Sequence, residues 1–340
     1  MESLPQEEHT EEQPLPAEDS IVYPPKFQKP DQQTNIWSKS LLSLTVYLIL
    51  GYYIFPSYKI LLLITAIVMI HELGHFFAMK FFRYNDLGIF FIPLLGAYVS
   101  GTKREVSQKQ SAIILLAGPL PGIIVGSMLY LLWQKNPELE LAGISFHTIS
   151  LSFIFLNLIN LLPVYPLDGG QILNRVFLDE ENLLSKIFIF LSVIAMGFFA
   201  VKMFIDSHNP FYFVLLLFPL SMILRLFGEK KMTDIEKRIE TDGINTDLDY
   251  DDLKDEDYWK IRNIIIEKMP AFKDVTPAPP FEYSAKEEKI MMMVQNLLHR
   301  HLIQDVSVIG KIIILLIWIA AIASPWLLQM DMSFFRRFGG

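Results

Sequence analysis

Apolar residues gather in seven blocks along this chain, at about 38–55, 60–80, 111–133, 145–164, 185–204, 211–227 and 307–328. A bilayer core about 30 Å thick needs roughly 20 apolar residues in a helix, so each block predicts a membrane-spanning helix. A single block would read as a buried core helix; seven in one chain do not. Pro219 and Pro325 fall inside the sixth and seventh blocks and are expected to kink them. The fold expected is an all-α polytopic membrane protein of six to seven transmembrane helices.

The pattern changes outside the blocks. Residues 1–36 set Pro5, Pro14, Pro16, Pro24, Pro25 and Pro30 among acidic and amide side chains. Such a segment cannot bury enough apolar surface to offset chain entropy, which predicts a disordered tail. It has neither the basic start nor the apolar core of a cleavable signal, so the first span is expected to act as an uncleaved anchor. A six-span membrane core then covers 37–228, a soluble acidic region 229–306, and the last helix with a terminal tail 307–340. Within the soluble region, residues 247–257 carry seven carboxylates and Lys254. The spacing of Asp247, Asp249 and Asp251 hints at a calcium loop. However, Asp252 stands where that loop needs glycine and Tyr258 where it needs a bidentate glutamate, so the run reads as a solvated connector. Ile290, Met293, Val294, Leu297 and Leu298 recur at helical spacing, which predicts an amphipathic helix over 285–303, packed on its own domain or lying at the membrane surface.

Composition narrows the function classes. Charged residues make up 19% of the chain and hydrophobic ones 52%, against about 25% charged in soluble proteins. The net charge of −8 argues against a nucleic-acid partner, which would need a basic face. With no cysteine there is no disulfide, iron–sulfur cluster, thiolate zinc site or cysteine nucleophile, so any metal must be held by His, Asp or Glu. Basic residues set the orientation. Lys80, Arg83, Lys103, Arg104 and Lys109 follow the second block, Arg175 and Lys186 the fourth, and Arg225, Lys230 and Lys231 the sixth. The alternate loops hold Lys59, Lys135 and Lys202. The richer side is expected to be cytoplasmic, with the amino-terminal tail on that side of what is expected to be the cell membrane. Arg336 and Arg337 fall on the wrong side, so either the rule tolerates them or the last block does not cross.

The second block carries the chemistry. Its string Ile70-His71-Glu72-Leu73-Gly74-His75-Phe76 contains H-E-x-x-H within an apolar helical run. Four residues at about 100° each return His75 to within about 40° of His71, so both imidazoles can share a metal, with Glu72 beside them to take a proton from an attacking water. An unpartnered Glu72 at mid-bilayer would cost about 3 kcal/mol, which makes a functional use the default; otherwise the cluster is polar glue between helices. Catalytic zinc usually has three protein ligands. His9 lies in the tail, His147 and His208 near the opposite face, and His299 and His301 in the soluble region. A carboxylate is needed, and Asp168 closes the fourth block in Asn160-Leu161-Leu162-Pro163-Val164-Tyr165-Pro166-Leu167-Asp168-Gly169-Gly170. Alone, Asp168-Gly169-Gly170 could be an ordinary turn in which the glycines bend the chain sharply. Beside the second-block motif it reads as the third ligand. Both motifs lie toward the cytoplasmic ends of their blocks, with His71 about 13 Å from Lys80 at about 1.5 Å per residue.

The pair of motifs resembles the site-2 protease family of intramembrane zinc metalloproteases, over roughly residues 60–175. That resemblance implies His71, His75 and Asp168 as Zn2+ ligands, Glu72 as general base, and Asn160 as a group that helps polarise the scissile carbonyl. It implies hydrolysis of a peptide bond in or near a transmembrane segment of another membrane protein, often a membrane-tethered regulator. Residues 93–99 resemble the family's short membrane-edge β-hairpin. Ala117-Gly118-Pro119 matches a family string, but Gly122 stands where the pattern usually has Asn; Gly118, Gly122 and Gly126 instead suit close helix packing. The loop at about 134–144 is too short for the inserted PDZ domain of some relatives. The rival from another class is a metal-binding membrane protein without hydrolysis, a divalent-cation transporter or an inactive relative. A transporter would show more ligands along a path. A membrane di-iron oxidase would need more clustered histidines or carboxylates.

Overall fold

The computed structural model describes residues 22–28, 35–55, 57–93, 96–103, 106–178, 182–207, 215–298 and 302–330. Most of the proline-rich tail, the start of the sixth block, Arg104, His9, His208, His299, His301, Arg336 and Arg337 lie outside the described residues. The chain divides into two compact units: residues 31–233 with 299–340, and residues 1–30 with 234–298.

In the first unit, α1 (Ile36–Ile54) and α2 (Tyr58–Phe81) start behind side-chain caps, Asn35 accepting from the Ser38 N–H and Ser57 from the Lys59 N–H. The strands β1 (Asn85–Ile92) and β2 (Gly96–Thr102) pair antiparallel, with Phe90 opposite Tyr98 and Phe91 opposite Ala97. Tyr47, Leu61, Phe76, Ile89 and Phe91 form one buried cluster that fastens this pair to α1 and α2. The third apolar block is two helices, α3 (Gln108–Ala117) and α4 (Pro119–Lys135), preceded by the short β3 (Val106–Ser107). Pro119 has no N–H to continue the ladder and suits a first helical position, so the break falls at Gly118. A two-strand turn, β4 (Glu140–Leu141) and β5 (Ile144–Ser145), leads to α5 (Phe146–Asn160). There follow α6 (Asp168–Ile172), a π-helical turn Leu173–Leu178, α7 (Leu183–Ser207) and α8 (Leu217–Thr241). The chain then runs through α9 (Asp255–Lys268) and α10 (Glu287–Leu297) before β6 (Leu302–Ile303) and α11 (Val308–Leu327).

Among the described residues, four helical runs are long and apolar enough to cross a membrane: Tyr58–Phe81, Gln108–Lys135, Leu183–Asp206 and Val308–Leu327. They expose Leu62, Phe198 and Leu316, as lipid-facing helices do. The other predicted blocks are α1, which is less apolar, α5, which has 15 residues, and the opening of α8. α11 is bound into the unit: Trp318 and Ala321 join Ala112, Leu115, Ile123, Leu161 and Ile172 in one core, and Trp318 Nε1 donates to the Leu161 carbonyl at 2.8 Å. β6 pairs parallel with β3, and Asp305 accepts from the Ser107 hydroxyl and the Lys109 N–H at the start of α3.

In the second unit, α9 and α10 bury Tyr258, Ile261, Ile265, Ile290, Val294 and Leu297. The apolar stripe of α10 is therefore core, and the helix ends at Leu297, short of the expected 303. Asp255, Glu256 and Asp257 occupy the first turn of α9, where carboxylates oppose the positive end of the helix dipole. At the centre Arg262 and Glu287, each about 1% exposed, are joined at 2.7 Å. Residues 22–28, assigned from composition to the disordered tail, are instead extended and hydrogen-bonded to this unit. Composition counts apolar surface and misses a segment held through its carbonyls.

Candidate metal centre

The motif lies on the buried stripe of α2, which also holds Leu61, Thr65, Phe76 and Met79. His71, Glu72, His75 and Asp168 are all less than a tenth exposed. The His71 and His75 rings meet edge to face with centroids 4.8 Å apart. Their Nε2 atoms are 3.0 Å apart, and Asp168 Oδ2 stands 3.1 Å from that of His71 and 3.3 Å from that of His75. The separation of the motifs in sequence is closed by α6, which carries Asp168 at its first residue.

The outer nitrogens decide where the ring protons sit. His71 Nδ1 is 2.8 Å from Asn157 Oδ1, and Asn157 Nδ2 donates to the Phe153 carbonyl at 2.7 Å, which turns the amide oxygen toward His71. His75 Nδ1 is 2.7 Å from the Ile114 carbonyl. Both partners are acceptors, so each ring donates from Nδ1, and a neutral ring then points its Nε2 lone pair inward. No aligned donor reaches buried Asp168 Oδ2. Three acceptor atoms thus converge without protons between them, an arrangement that a cation satisfies. Ligand atoms about 2.0–2.2 Å from a tetrahedral zinc lie roughly 3.3–3.6 Å apart, and the observed edges of 3.0, 3.1 and 3.3 Å need open by only a few tenths of an ångström to reach that. Among the described residues this is the one such group of His, Asp and Glu.

Two glycines make room for it. A Cβ at Gly118 would stand 2.3 Å from His75 Nε2 and 2.9 Å from His71 Nε2, so the α3–α4 junction can border these nitrogens only as glycine. A Cβ at Gly122 would stand 2.1 Å from Asn157 Nδ2, so the space at residue 122 is filled by the amide that orients His71. Gly169 and Gly170 do not make the expected turn. Both are helical, and the Leu161–Val164 backbone presses against them.

Asn160, the last residue of α5, donates from Nδ2 to the Leu156 carbonyl at 3.3 Å. Among the described residues no hydrogen bond joins it to the two histidines or Asp168. Asn157, one turn earlier and 1% exposed, makes that link. The sequence signal for it was available: an amide inside an apolar span, with Gly122 on the neighbouring apolar block leaving room for it. His147 meets the Trp133 ring at a tilt, with centroids 4.3 Å apart, outside this cluster.

Parts of the chain are similar to known proteins. Stage IV sporulation protein FB of Bacillus subtilis is 35% identical over 126 residues, 35% of this chain and 40% of that protein. A zinc metalloprotease of Methanocaldococcus jannaschii is 28% identical over 134 residues, 39% of this chain and 38% of that one. The chain thus spans about two-fifths of the length of these curated relatives. The solved site-2 protease from Methanocaldococcus jannaschii aligns over 54% of this chain and 84% of its own, at 24% identity and a TM-score of 0.38. Residues 59–138, which include the helix bearing His71, Glu72 and His75 and the Gly118 junction behind it, match the sequence model of Peptidase family M50.

Proposed function

We propose that this chain is an intramembrane zinc metalloprotease that hydrolyses a peptide bond in or near a transmembrane segment of another membrane protein. The observation that carries the reading is the convergence of His71 Nε2, His75 Nε2 and Asp168 Oδ2 on one buried space with Glu72 alongside. The family match and the relative named a zinc metalloprotease support zinc as the cation. When bound, zinc supplies Lewis acidity that polarises a carbonyl and acidifies water. The chain's own groups do the rest. Asn157 and the Ile114 carbonyl hold both imidazoles with Nε2 inward. Glu72 takes a proton from the attacking water and returns it to the leaving amine. Asn160, at the end of α5, donates to the scissile carbonyl once its bond to Leu156 is released. The β1–β2 pair offers an edge to an unwound substrate segment at the membrane boundary.

The finer assignments rest on the sequence: six to seven spans, residence in the cell membrane, and a cytoplasmic amino terminus inferred from the loop charges. A membrane-tethered regulator is the proposed substrate class. The experiment separates ligand from base. Glu72→Gln is expected to keep about one zinc per chain and abolish cleavage of a single-span substrate. Asp168→Ala is expected to lose most of its zinc along with activity. Metal analysis of both purified variants beside a cleavage assay decides. Cleavage by Glu72→Gln would refute the mechanism, and full zinc in Asp168→Ala would remove that residue from the ligand set.

A further inference from the structure

The second unit holds a peptide. Residues 22–28 run extended across α9 and the loops beside it, and side chains of the unit read their backbone carbonyls. Trp259 Nε1 donates to the Pro24 carbonyl at 2.8 Å, the Tyr283 hydroxyl to that of Pro25, and the Tyr250 hydroxyl to that of Phe27 at 2.6 Å. Prolines have no N–H, so carbonyls are the backbone handle such a segment offers, and aromatic grooves with Trp and Tyr donors suit it. The rings are arranged to match. Trp259 stacks on Tyr283 with centroids 5.6 Å apart and planes 13° from parallel, Tyr23 meets Phe281 at 5.4 Å, and Phe27 meets Tyr283 at 5.4 Å.

Lys26 supplies the charge. Its ammonium donates to the carbonyls of Asp251 and Leu253, each at 2.6 Å, and its N–H to Asp255 Oδ1 at 2.8 Å. Residues 251–255 of the acidic run form the wall of this lysine site. A further pocket of about 300 Å³, lined by Tyr23, Trp259, Asn263, Pro279 and Phe281, continues beyond the first residues of the segment. The unit's own core, around Ile261, Ile265, Ile290 and the Arg262–Glu287 pair, is built from 234–298 without the segment. Pro25 is exposed and Val22 is 84% exposed, so the segment sits on the surface of this core.

We propose that the second unit is a receptor for extended, basic proline segments of the pattern aromatic-Pro-Pro-Lys-aromatic, which residues 23–27 occupy in cis and a matching segment of a partner protein displaces. Tethering makes the cis occupant a competitor at an effective concentration of about millimolar, so a partner gains entry by affinity or when the tether is released. The site shares no residue with the proposed protease chemistry, and its test does not depend on cleavage.

The test uses the full chain in detergent and a fluorescent peptide of residues 20–30. Tyr23→Ala with Lys26→Glu weakens the cis occupant and leaves the unit's core untouched. That double variant is expected to bind the peptide at least tenfold more tightly than the wild-type chain, while a scrambled peptide does not bind. Adding Trp259→Phe keeps a ring but removes the donor, and is expected to weaken binding by roughly two- to tenfold. Hydrogen-exchange protection over 255–268 reports folding of the unit in each variant. Three results would overturn the proposal: a protected double variant that does not bind, binding indifferent to Trp259→Phe, or loss of protection on undocking. A wild-type dimer that free peptide dissolves would put a second copy's segment in the groove and overturn the partner reading as well.

Discussion

Asn157 and Gly122 work as one device at the scale of single residues. The amide fills the space a side chain at 122 would take, donates from Nδ2 to the Phe153 carbonyl, and presents oxygen to His71 Nδ1. Losing that acceptor frees the imidazole to rotate or change tautomer, and such supporting bonds are typically worth about 10–100-fold in metal affinity. Asn157→Ala is therefore expected to weaken zinc binding by about that factor, and Asn157→Asp, which keeps an acceptor, to restore most of it. Competition against a chromophoric chelator measures both. An unchanged affinity in Asn157→Ala would show that His71 is oriented by other means. The sequence made His71, Glu72, His75 and Asp168 legible because their residue types and spacing carry the chemistry. It did not single out Asn157, because a string of letters does not say which amide of an apolar span faces the neighbouring helix and meets His71.

Elements were legible where one physical signal ruled. α2, α7 and α11 follow from long apolar runs, and α10 from its stripe. The α3–α4 break was not predicted, since Pro119 sits inside a continuous apolar block and hydropathy does not register a missing N–H. Two elements lead to predictions. In β2, neighbouring residues alternate between bonding β1 and facing the other edge, so one of Ala97 and Tyr98 presents its N–H outward. Proline at that residue is expected to slow cleavage several-fold with zinc content unchanged; full activity in both Ala97→Pro and Tyr98→Pro would exclude the edge as a substrate guide. Between α9 and α10, burial alone would raise the Glu287 carboxyl, but hydrogen bonds from Arg262, Ser284 and Tyr258 hold it below the ordinary glutamate value. A depressed carboxylate contributes stability that is complete above its unfolded value, about 4.3, and is lost as pH falls through the folded one. Exchange protection factors over 255–268 are thus expected to be flat from neutral pH to about 5 and to decline below about 4. Glu287→Gln is expected to lose that decline and to be destabilised by about 3–5 kcal/mol, because Arg262 is left buried and unpaired. A wild-type unit whose protection ignores acid would remove the pair from its stability.

At the scale of the whole molecule, the loop charges lead to the proposal that the amino-terminal tail and residues 229–306 are cytoplasmic. Lys80, Arg83, Lys103 and Lys109 flank the deep end of α2 and the start of α3, so the expected cytoplasmic side is also the side nearest His71 and His75. The absence of cysteine allows a direct measurement, since every introduced thiol is the only one in the chain. Lys273 is exposed in the second unit and Glu138 is exposed ahead of β4. In intact cells, Lys273→Cys and Thr10→Cys are expected to resist a membrane-impermeant maleimide until the membrane is opened. Glu138→Cys, on the opposite side of α4, is expected to label at once. Labelling of Lys273→Cys from outside with protection of Glu138→Cys would invert the protein. The proline-segment receptor would then face the exterior, and substrates would have to present their cleavage site from that side.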